Sequence, residues 1–332
     1  MTMRRDLLQI ALFAAAVAVV AATARSGVVL NLAMMALYAC LMAQSWNLLG
    51  GYGGQFSFGH ALFFGTGAYA QAMAQLQGGI NPWVALPLAI AAAAAVGLFF
   101  GALSFRYGLK GSYFALVTLA FAEVFRILAL SVPFTGAGVG LMVPLKEGLA
   151  QMQFADRRGF VWIALALVTL GLLATAWLRH SRFGARLQAV RDNEDAARAV
   201  GVDPFRVKLG AIGLSAAFMG AAGALYVQVF QYIDPGIAYG PHTSVEALVA
   251  AIVGGLGTLW GPVLGALALH LLADATRSLF GGLPGINMII YGGVLVAIVM
   301  FAPRGLMGLG QSVRSLWSRP GAAPQTREEP HG

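Results

Sequence analysis

Few side chains in this 332-residue chain could do chemistry at a fixed site. The five histidines are scattered without metal-ligand spacing, and the only cysteine, Cys40, excludes both a disulfide framework and a thiolate cluster. The sequence contains no G-x-x-x-x-G-K-[ST] phosphate loop, no H-E-x-x-H and no G-x-S-x-G motif. We therefore expect a chain that is not an enzyme, has no ATPase site of its own and binds no cofactor or metal.

Three ionisable residues stand out because they fall inside apolar segments. Glu123 and Arg126 lie one helical turn apart in the segment 112–131, and Glu246 lies near the start of a later segment. Charged groups at membrane depth are costly unless they are paired, and they often mark a substrate path. We place all three on a candidate translocation path. For Glu123 and Arg126 the alternative is an ion pair that only locks helices together.

The elements that hold these residues are predicted to be membrane helices. Of the chain, 59% is hydrophobic and only 10% is charged, which leaves too little polar surface for a soluble globule. Runs near the required 20 residues are 7–24, 28–49, 83–104, 112–131, 160–178, 209–230 and 286–302. A glycine-interrupted run, 56–76, and a long run, 245–273, broken at Gly254–Pro262 into two helices, complete the set. The fold expected is an all-α polytopic membrane protein with about ten transmembrane helices.

Basic residues predict the orientation of these helices. The segment 179–208 holds seven of the 21 Lys and Arg residues, and short loops rich in Lys and Arg stay in the cytoplasm. With ten spans, both termini are then cytoplasmic. We expect a transmembrane domain over 1–310 and a disordered cytoplasmic tail over 311–332. The N-terminal run is interpreted as a retained helix, with a cleaved signal peptide as the alternative. Nucleic acid is not expected as a partner.

A glycine-rich stretch, GGYGGQFSFGHALFFGTGAYA at 50–70, interrupts the membrane helices. Backbone that is not helical is tolerated at membrane depth only where protein or a water-filled cavity satisfies its polar groups. In a helix from residue 59 onward, His60, Phe64, Gly67 and Gln71 share one face. We place these four residues and Ser57 on the translocation path. The alternative is an ordinary contact between helices, since a stripe of small residues lies beside this face.

The basic segment 179–208 also carries the signals of a short surface helix. Asp192 is the expected N-cap of a helix over EDAARAV, and Gly201 is the expected stop. A short helix held between two membrane helices is interpreted as a docking element. The alternative is a solvated loop whose charge only sets the topology.

Three motifs carry a resemblance to a known family. The basic segment, SFGHALFFGTGAYA at 57–70 and VEALVAAIVGGLGTLWGPVLGA at 245–266 occur in the order found in ABC importer permeases. They resemble in particular the LivM-type permeases of branched-chain amino acid importers. The resemblance implies an ABC importer permease fold in a bacterial inner membrane. It also implies a second homologous permease, two cytoplasmic ABC ATPase subunits and a periplasmic substrate-binding protein as partners, in addition to the lipid bilayer.

The resemblance further implies a cargo and a contact with the ATPase. The cargo is expected to be branched-chain or other small hydrophobic amino acids, with urea, short amides or aromatic acids as alternatives. Residues expected at the ATPase contact are Arg186, Arg191, Asp192, Glu194, Asp195, Ala196, Ala197 and Arg198. Two rival classes remain. A secondary transporter or channel leaves the loop helix without a role, and a membrane enzyme needs convergent nucleophile, base or metal groups, of which the sequence has only isolated candidates.

Overall fold

The computed structural model describes residues 2–280, 289–290, 292–293, 296, 300 and 305–308. Helices make up most of this part of the chain, together with one short antiparallel pair of strands, β1 (Leu141–Met142) and β2 (Tyr232–Ile233). The expected span 286–302 falls mainly outside the described residues, and the expected disordered tail 311–332 lies wholly outside them.

Among the residues that the structure describes, six helical stretches are long and apolar enough to cross a membrane. They are α1 (Met3–Thr23), α2 with the π-helical turn that extends it (Gly27–Asn47 and Leu48–Tyr52), α4 (Pro82–Arg106), α5 (Gly111–Ser131), α6 (Arg158–His180) and α9 (Pro204–Phe230). Shorter helices are α3 (His60–Leu76), α7 (Arg182–Asp192), α8 (Glu194–Ala199), α10 (Pro235–Tyr239), α11 (Pro241–Gly254) and α12 (Gly261–Phe280). The predicted helical, multi-pass architecture is confirmed, and the count of ten crossings stays a prediction.

Polar caps followed by proline fix where several helices begin. Asp203 accepts hydrogen bonds from the amides of Phe205 and Arg206 at the start of α9. Asn81 does the same for Trp83 at the start of α4. Proline follows each cap, where its missing N–H costs nothing and its fixed φ suits the first turn. These caps set sharp starts for the two helices that pack most closely with α3.

Helix α9 lies at the centre of the bundle and packs on α3 and α4 through small residues. A Cβ at Gly101 would lie 2.6 Å from the Ile212 side chain. One at Gly97 would collide with Ala216, and one at Gly67 would collide with the backbone of Gly220. The absence of side chains lets the backbones approach closely, as small-residue motifs do in membrane helices. Gly97 and Gly101, one helical turn apart, are therefore part of the contact between α4 and α9.

Ion pairs and hydrogen bonds between distant segments define the two ends of the bundle. The Asp6 carboxylate accepts from Arg179 Nη1 and faces His180 Nε2, each at 3.0 Å, so α1 starts beside the end of α6. We call this end, which also carries α7 and α8, the loop face. At the opposite end, here the distal face, Arg158 Nη2 donates to the carbonyl oxygen of Ala24 at 2.7 Å. Helices α1 and α6 are therefore antiparallel.

Both glycine-rich stretches interrupt helices, as the sequence predicts. After the π-helical turn Leu48–Tyr52, residues 53–59 form no regular helix before α3 begins. The run 245–273 is divided between α11 and α12 by the irregular residues 255–260. We call residues 48–59 the first break and residues 255–260 the second break.

Candidate functional site

The two breaks lie against each other, and Asn47, the last residue of α2 before the first break, bonds to the second break. Asn47 Nδ2 donates to the carbonyl oxygen of Thr258 at 3.0 Å, and its Oδ1 accepts from the Gly257 amide at 2.8 Å. A Cβ at Gly51 would lie 2.6 Å from the Gly257 nitrogen, so the π-helical turn needs glycine here. One side-chain amide thus bonds to backbone groups that the second break leaves outside a regular helix.

Arg191, in α7, reaches the same place from the loop face. Its Nη1 donates to the carbonyl oxygen of Gly51 at 3.2 Å. A Cβ at Gly54 would collide with the Arg191 side chain, and the left-handed φ of Gly54, +64°, also favours glycine. The guanidinium pairs with Asp192 at 2.9 Å. Arg191, for which the resemblance implies an ATPase contact, is therefore bonded within the chain to the first break.

His60, at the start of α3, is fully buried in a small polar cluster. Its Nε2 lies 2.9 Å from Ser215 Oγ in α9. Ser215 Oγ also donates to the carbonyl oxygen of Ser45 at 2.7 Å, and Ser45 Oγ donates to that of Ser215 at 2.8 Å. The other ring nitrogen, Nδ1, has no hydrogen-bond partner in the described part of the chain. The cluster joins α2, α3 and α9 at one point.

Side chains satisfy the backbone of the first break where it meets α3. Trp46 Nε1 donates to the carbonyl oxygen of Ser57 at 2.8 Å, and the Ala61 amide donates to Ser244 Oγ at 2.8 Å. Ser57 itself is fully buried. These bonds meet the requirement that irregular backbone among membrane helices be satisfied by protein.

The rest of the predicted polar face of α3 is also buried. Phe64 packs against the rings of Tyr38 and Tyr226, with centroids 6.4 Å and 5.7 Å away. Gln71 Nε2 donates to the carbonyl oxygen of Pro82 at 3.1 Å, and its Oε1 has no partner among the described residues. Gly67 lies in the contact with α9 described above. Since this helix is surrounded by protein, the path assignment of these residues stays a prediction.

A polar cavity of about 390 Å³ lies at the distal end of α3. Four of its ten lining residues carry amide side chains, and one is a lysine. The lining residues are Gln75, Leu76, Gly79, Ile80, Asn81, Val143, Pro144, Lys146, Gln151 and Gln153. The cavity is large enough for a small solute, and it continues the face of α3 that carries Gln71.

The three intramembrane charges fall in two places. Arg126 donates to both Glu123 oxygens at 2.8 and 2.6 Å, and both side chains remain partly exposed on the outside of α5. The expected mutual pairing is present, and it is made within one helix. Glu246 lies apart from them in α11 beside a cavity of about 10 Å³, which Ala39, Ala250 and His270 also line. The structure therefore does not bring Glu246 together with Glu123 and Arg126.

The loop between α6 and α9 contains two helices rather than one. Helix α7 takes up residues as far as Asp192, so Asp192 ends a helix, and its prediction as an N-cap is wrong. Asn193 caps α8 instead, accepting from the Asp195 and Ala196 amides at 3.1 and 2.9 Å. Arg186, Asp195, Ala196 and Arg198 are exposed, whereas Ala197 is 3% exposed and faces the bundle.

Glu194 is the most heavily paired residue of this loop. Its Oε2 accepts from Lys208 Nζ at 2.6 Å and lies 3.2 Å from Lys110 Nζ, while its Oε1 accepts from Arg198 at 3.3 Å. Burial alone would raise the pKa of this carboxyl. The hydrogen bonds and charges of Lys208 and Lys110 outweigh burial, so the pKa of Glu194 is lowered. The residue is therefore held as a carboxylate.

The sequence reasoning did not select Asn47, Ser45, Ser215 or Lys208. Asn47 and Ser215 are polar residues within apolar helices, and this is the signal that could have found them. Lys208 carries no such signal, since a lysine at the start of a membrane helix is common. Among the described residues there is no group of three or more His, Cys, Asp and Glu side chains that could hold a metal ion.

The chain is similar to known transport proteins over most of its length. The family described as branched-chain amino acid transport system, permease component, matches residues 28–299. The high-affinity branched-chain amino acid transport permeases LivM of Salmonella typhimurium and of Escherichia coli K12 are each 30% identical, over 92% of this chain and 76% of theirs. Escherichia coli K12 LivH is 28% identical over 45% of this chain and 46% of its own. No solved structure matches the chain.

Proposed function

We propose that this chain, which belongs to the branched-chain amino acid transport permease family, is the subunit through which an ATP-driven importer passes small hydrophobic amino acids. Its role as a membrane permease follows from the family and agrees with its apolar helices. The cargo is proposed from the three relatives reported above, each of which is named as a branched-chain amino acid transport permease. Urea, short amides and aromatic acids remain the alternative cargoes.

The proposed assembly contains four kinds of subunit. The relatives include both LivM and LivH permeases, which supports a second homologous permease beside this chain. Two ABC ATPases would bind the loop face, and a periplasmic binding protein would deliver solute to the distal face. In this arrangement the loop face and the N-terminus lie in the cytoplasm of a bacterial inner membrane. The chain itself would hydrolyse no ATP.

One observation carries the proposal: the loop that would meet the ATPase is bonded directly to the irregular backbone of the bundle. Arg191 of α7 donates to Gly51 in the first break, and Asn47 joins that break to the second. Broken helices in transporters commonly mark the place where substrate passes. A movement of the loop would therefore act on both breaks at once.

The proposed path runs along α3 from the distal cavity to the first break. It contains Ser57, His60, Phe64, Gly67 and Gln71, with the distal cavity as the place of arrival. These residues are closed off by protein here, so solute would pass only when α3 and α9 separate or a partner subunit rearranges them. Alternating access is the usual way in which such a closed path opens.

Reconstitution tests the proposed function. The complete importer, built from this chain, a second permease, the ATPases and the binding protein, is placed in vesicles and supplied with labelled leucine, urea, acetamide or benzoate. We expect leucine uptake that requires ATP and the ATPase subunits and survives collapse of the proton gradient. Uptake by this chain alone, driven by a proton gradient, would overturn the proposal and support a secondary transporter. The solute that accumulates identifies the cargo.

A further inference from the structure

The short helix α8 has two attachments to the long helix α9, and the second is an ion pair. The first is the chain itself, residues 200–203, which turns at Gly201 with a left-handed φ of +85°. The second is the contact of 2.6 Å between Glu194, the first residue of α8, and Lys208, in the second turn of α9. The ion pair therefore fixes the N-terminal residue of α8 to α9, and the turn fixes its C-terminal end.

The surroundings of this pair indicate that it is a firm contact. The Lys208 side chain is only 4% exposed and that of Glu194 is 15% exposed. Lys208 Nζ also lies 5.5 Å from the centroid of the Phe105 ring, at the end of α4. Surface ion pairs contribute little because water screens them, but a buried pair cannot lose one partner without leaving an uncompensated charge.

Lys110 adds the turn between α4 and α5 to the contact made by Glu194. It precedes α5 in the short turn between α4 and α5, and its Nζ lies 3.2 Å from the same Glu194 oxygen. One carboxylate therefore touches both α9 and the α4–α5 turn. Apolar packing of α8 is slight by comparison, since Ala197 is its only buried residue.

We propose that Glu194 and Lys208 form the joint that makes α8 move as one body with α9, so that force applied to α8 reaches the bundle. This inference rests on the proposed function, in which an ATPase binds the loop face. Glu194 is then a positioning residue that acts on the inner side of α8, while the exposed Ala196 and Val200 remain free to meet the partner. Without the joint, α8 would be linked to α9 only through residues 200–203 and through α7, so less of its movement would reach α9.

The test compares uptake per ATP hydrolysed in the reconstituted importer. The decisive variant is Glu194→Gln with Lys208→Met, because it removes the joint without leaving a buried charge unpaired. Glu194→Gln alone and Lys208→Arg are the companion variants, the second retaining the positive charge. The matched control is Arg206→Met, which breaks the exposed Arg206–Asp203 pair of 3.1 Å on the same helix.

We expect the double variant to bind the ATPases and hydrolyse ATP, while uptake per ATP falls at least about fivefold, the lower end of usual coupling between sites. Lys208→Arg and Arg206→Met should keep the wild-type ratio. If uptake per ATP is unchanged in the double variant, or if uptake falls only in proportion to the amount of folded complex, the proposed joint is wrong. If the wild-type chain itself fails to bind ATPases or to take up solute with ATP, the proposed function fails instead.

Discussion

Replacing Asn47 by leucine tests whether its amide holds the two breaks together. The substitution keeps the approximate size of the side chain and removes both hydrogen bonds, to Gly257 N and to the Thr258 carbonyl oxygen. Each such bond contributes a net ~0.5–1.5 kcal/mol, and each lost partner leaves a backbone group unsatisfied. We take about 2 kcal/mol as the total, because residues 257 and 258 are only partly buried.

Hydrogen exchange followed by mass spectrometry measures the loss of these hydrogen bonds at the second break. A free-energy change of about 2 kcal/mol corresponds to roughly 30-fold, at 1.4 kcal/mol per tenfold. If the second break exchanges through local opening, the Gly257 amide in Asn47→Leu should exchange roughly 30-fold faster than in the wild type. Asn31→Leu is the matched control, since Asn31 is an exposed asparagine on the same helix. Exchange at Gly257 within about threefold of the wild type would refute the reasoning.

Three further changes have defined outcomes. Arg191→Met keeps the stem against Gly54 but removes the bond to Gly51, so uptake should fall at least about fivefold while ATPase co-purification is retained. The control, the exposed Arg182→Met, should retain both uptake and co-purification. Lost co-purification in Arg191→Met would make Arg191 an ATPase contact instead. Gly97→Leu should strain the α4–α9 contact by about 1–3 kcal/mol and so lower the thermal unfolding midpoint. Gly27→Leu should leave the midpoint unchanged, since nothing lies within 4 Å of its Cβ position. Equal midpoints for the two variants would show that the α4–α9 contact does not require glycine at position 97. The pKa of Glu194 is lowered in the folded chain, so its ionised carboxylate stabilises the fold above the ordinary pKa of 4.5, and this stabilisation is lost as pH falls through the pKa of the folded state. The difference in unfolding free energy between wild type and Glu194→Gln should therefore shrink in acid. A difference that grows in acid contradicts this direction.

Much of the architecture could be predicted from apolar run lengths, because a bilayer fixes how many residues a span needs. The same reasoning located both breaks, since glycine and irregular backbone coincide in them. It also correctly expected Glu123 and Arg126 to pair. These are local properties, which a single stretch of sequence can express.

Contacts between distant segments could not be predicted in this way. Nothing near Asn47 in the sequence indicates that its partners are residues 257 and 258, and nothing near Glu194 points to Lys110. The wrong N-cap has a local cause: Asp192 and Asn193 are both good capping residues. Only the course of α7, which continues through Asp192, decides between them.

Helix α9 connects the loop face with the distal face. Its 27 residues form one unbroken rod of about 40 Å that begins at the loop face and ends beside β2 at the distal face. If the loop and the far end are energetically linked through this rod, the linkage must be equal in both directions. In the proposed importer, arrival of the loaded binding protein at the distal face should then change the nucleotide affinity of the ATPases at the loop face by the same factor that nucleotide changes the affinity for the binding protein.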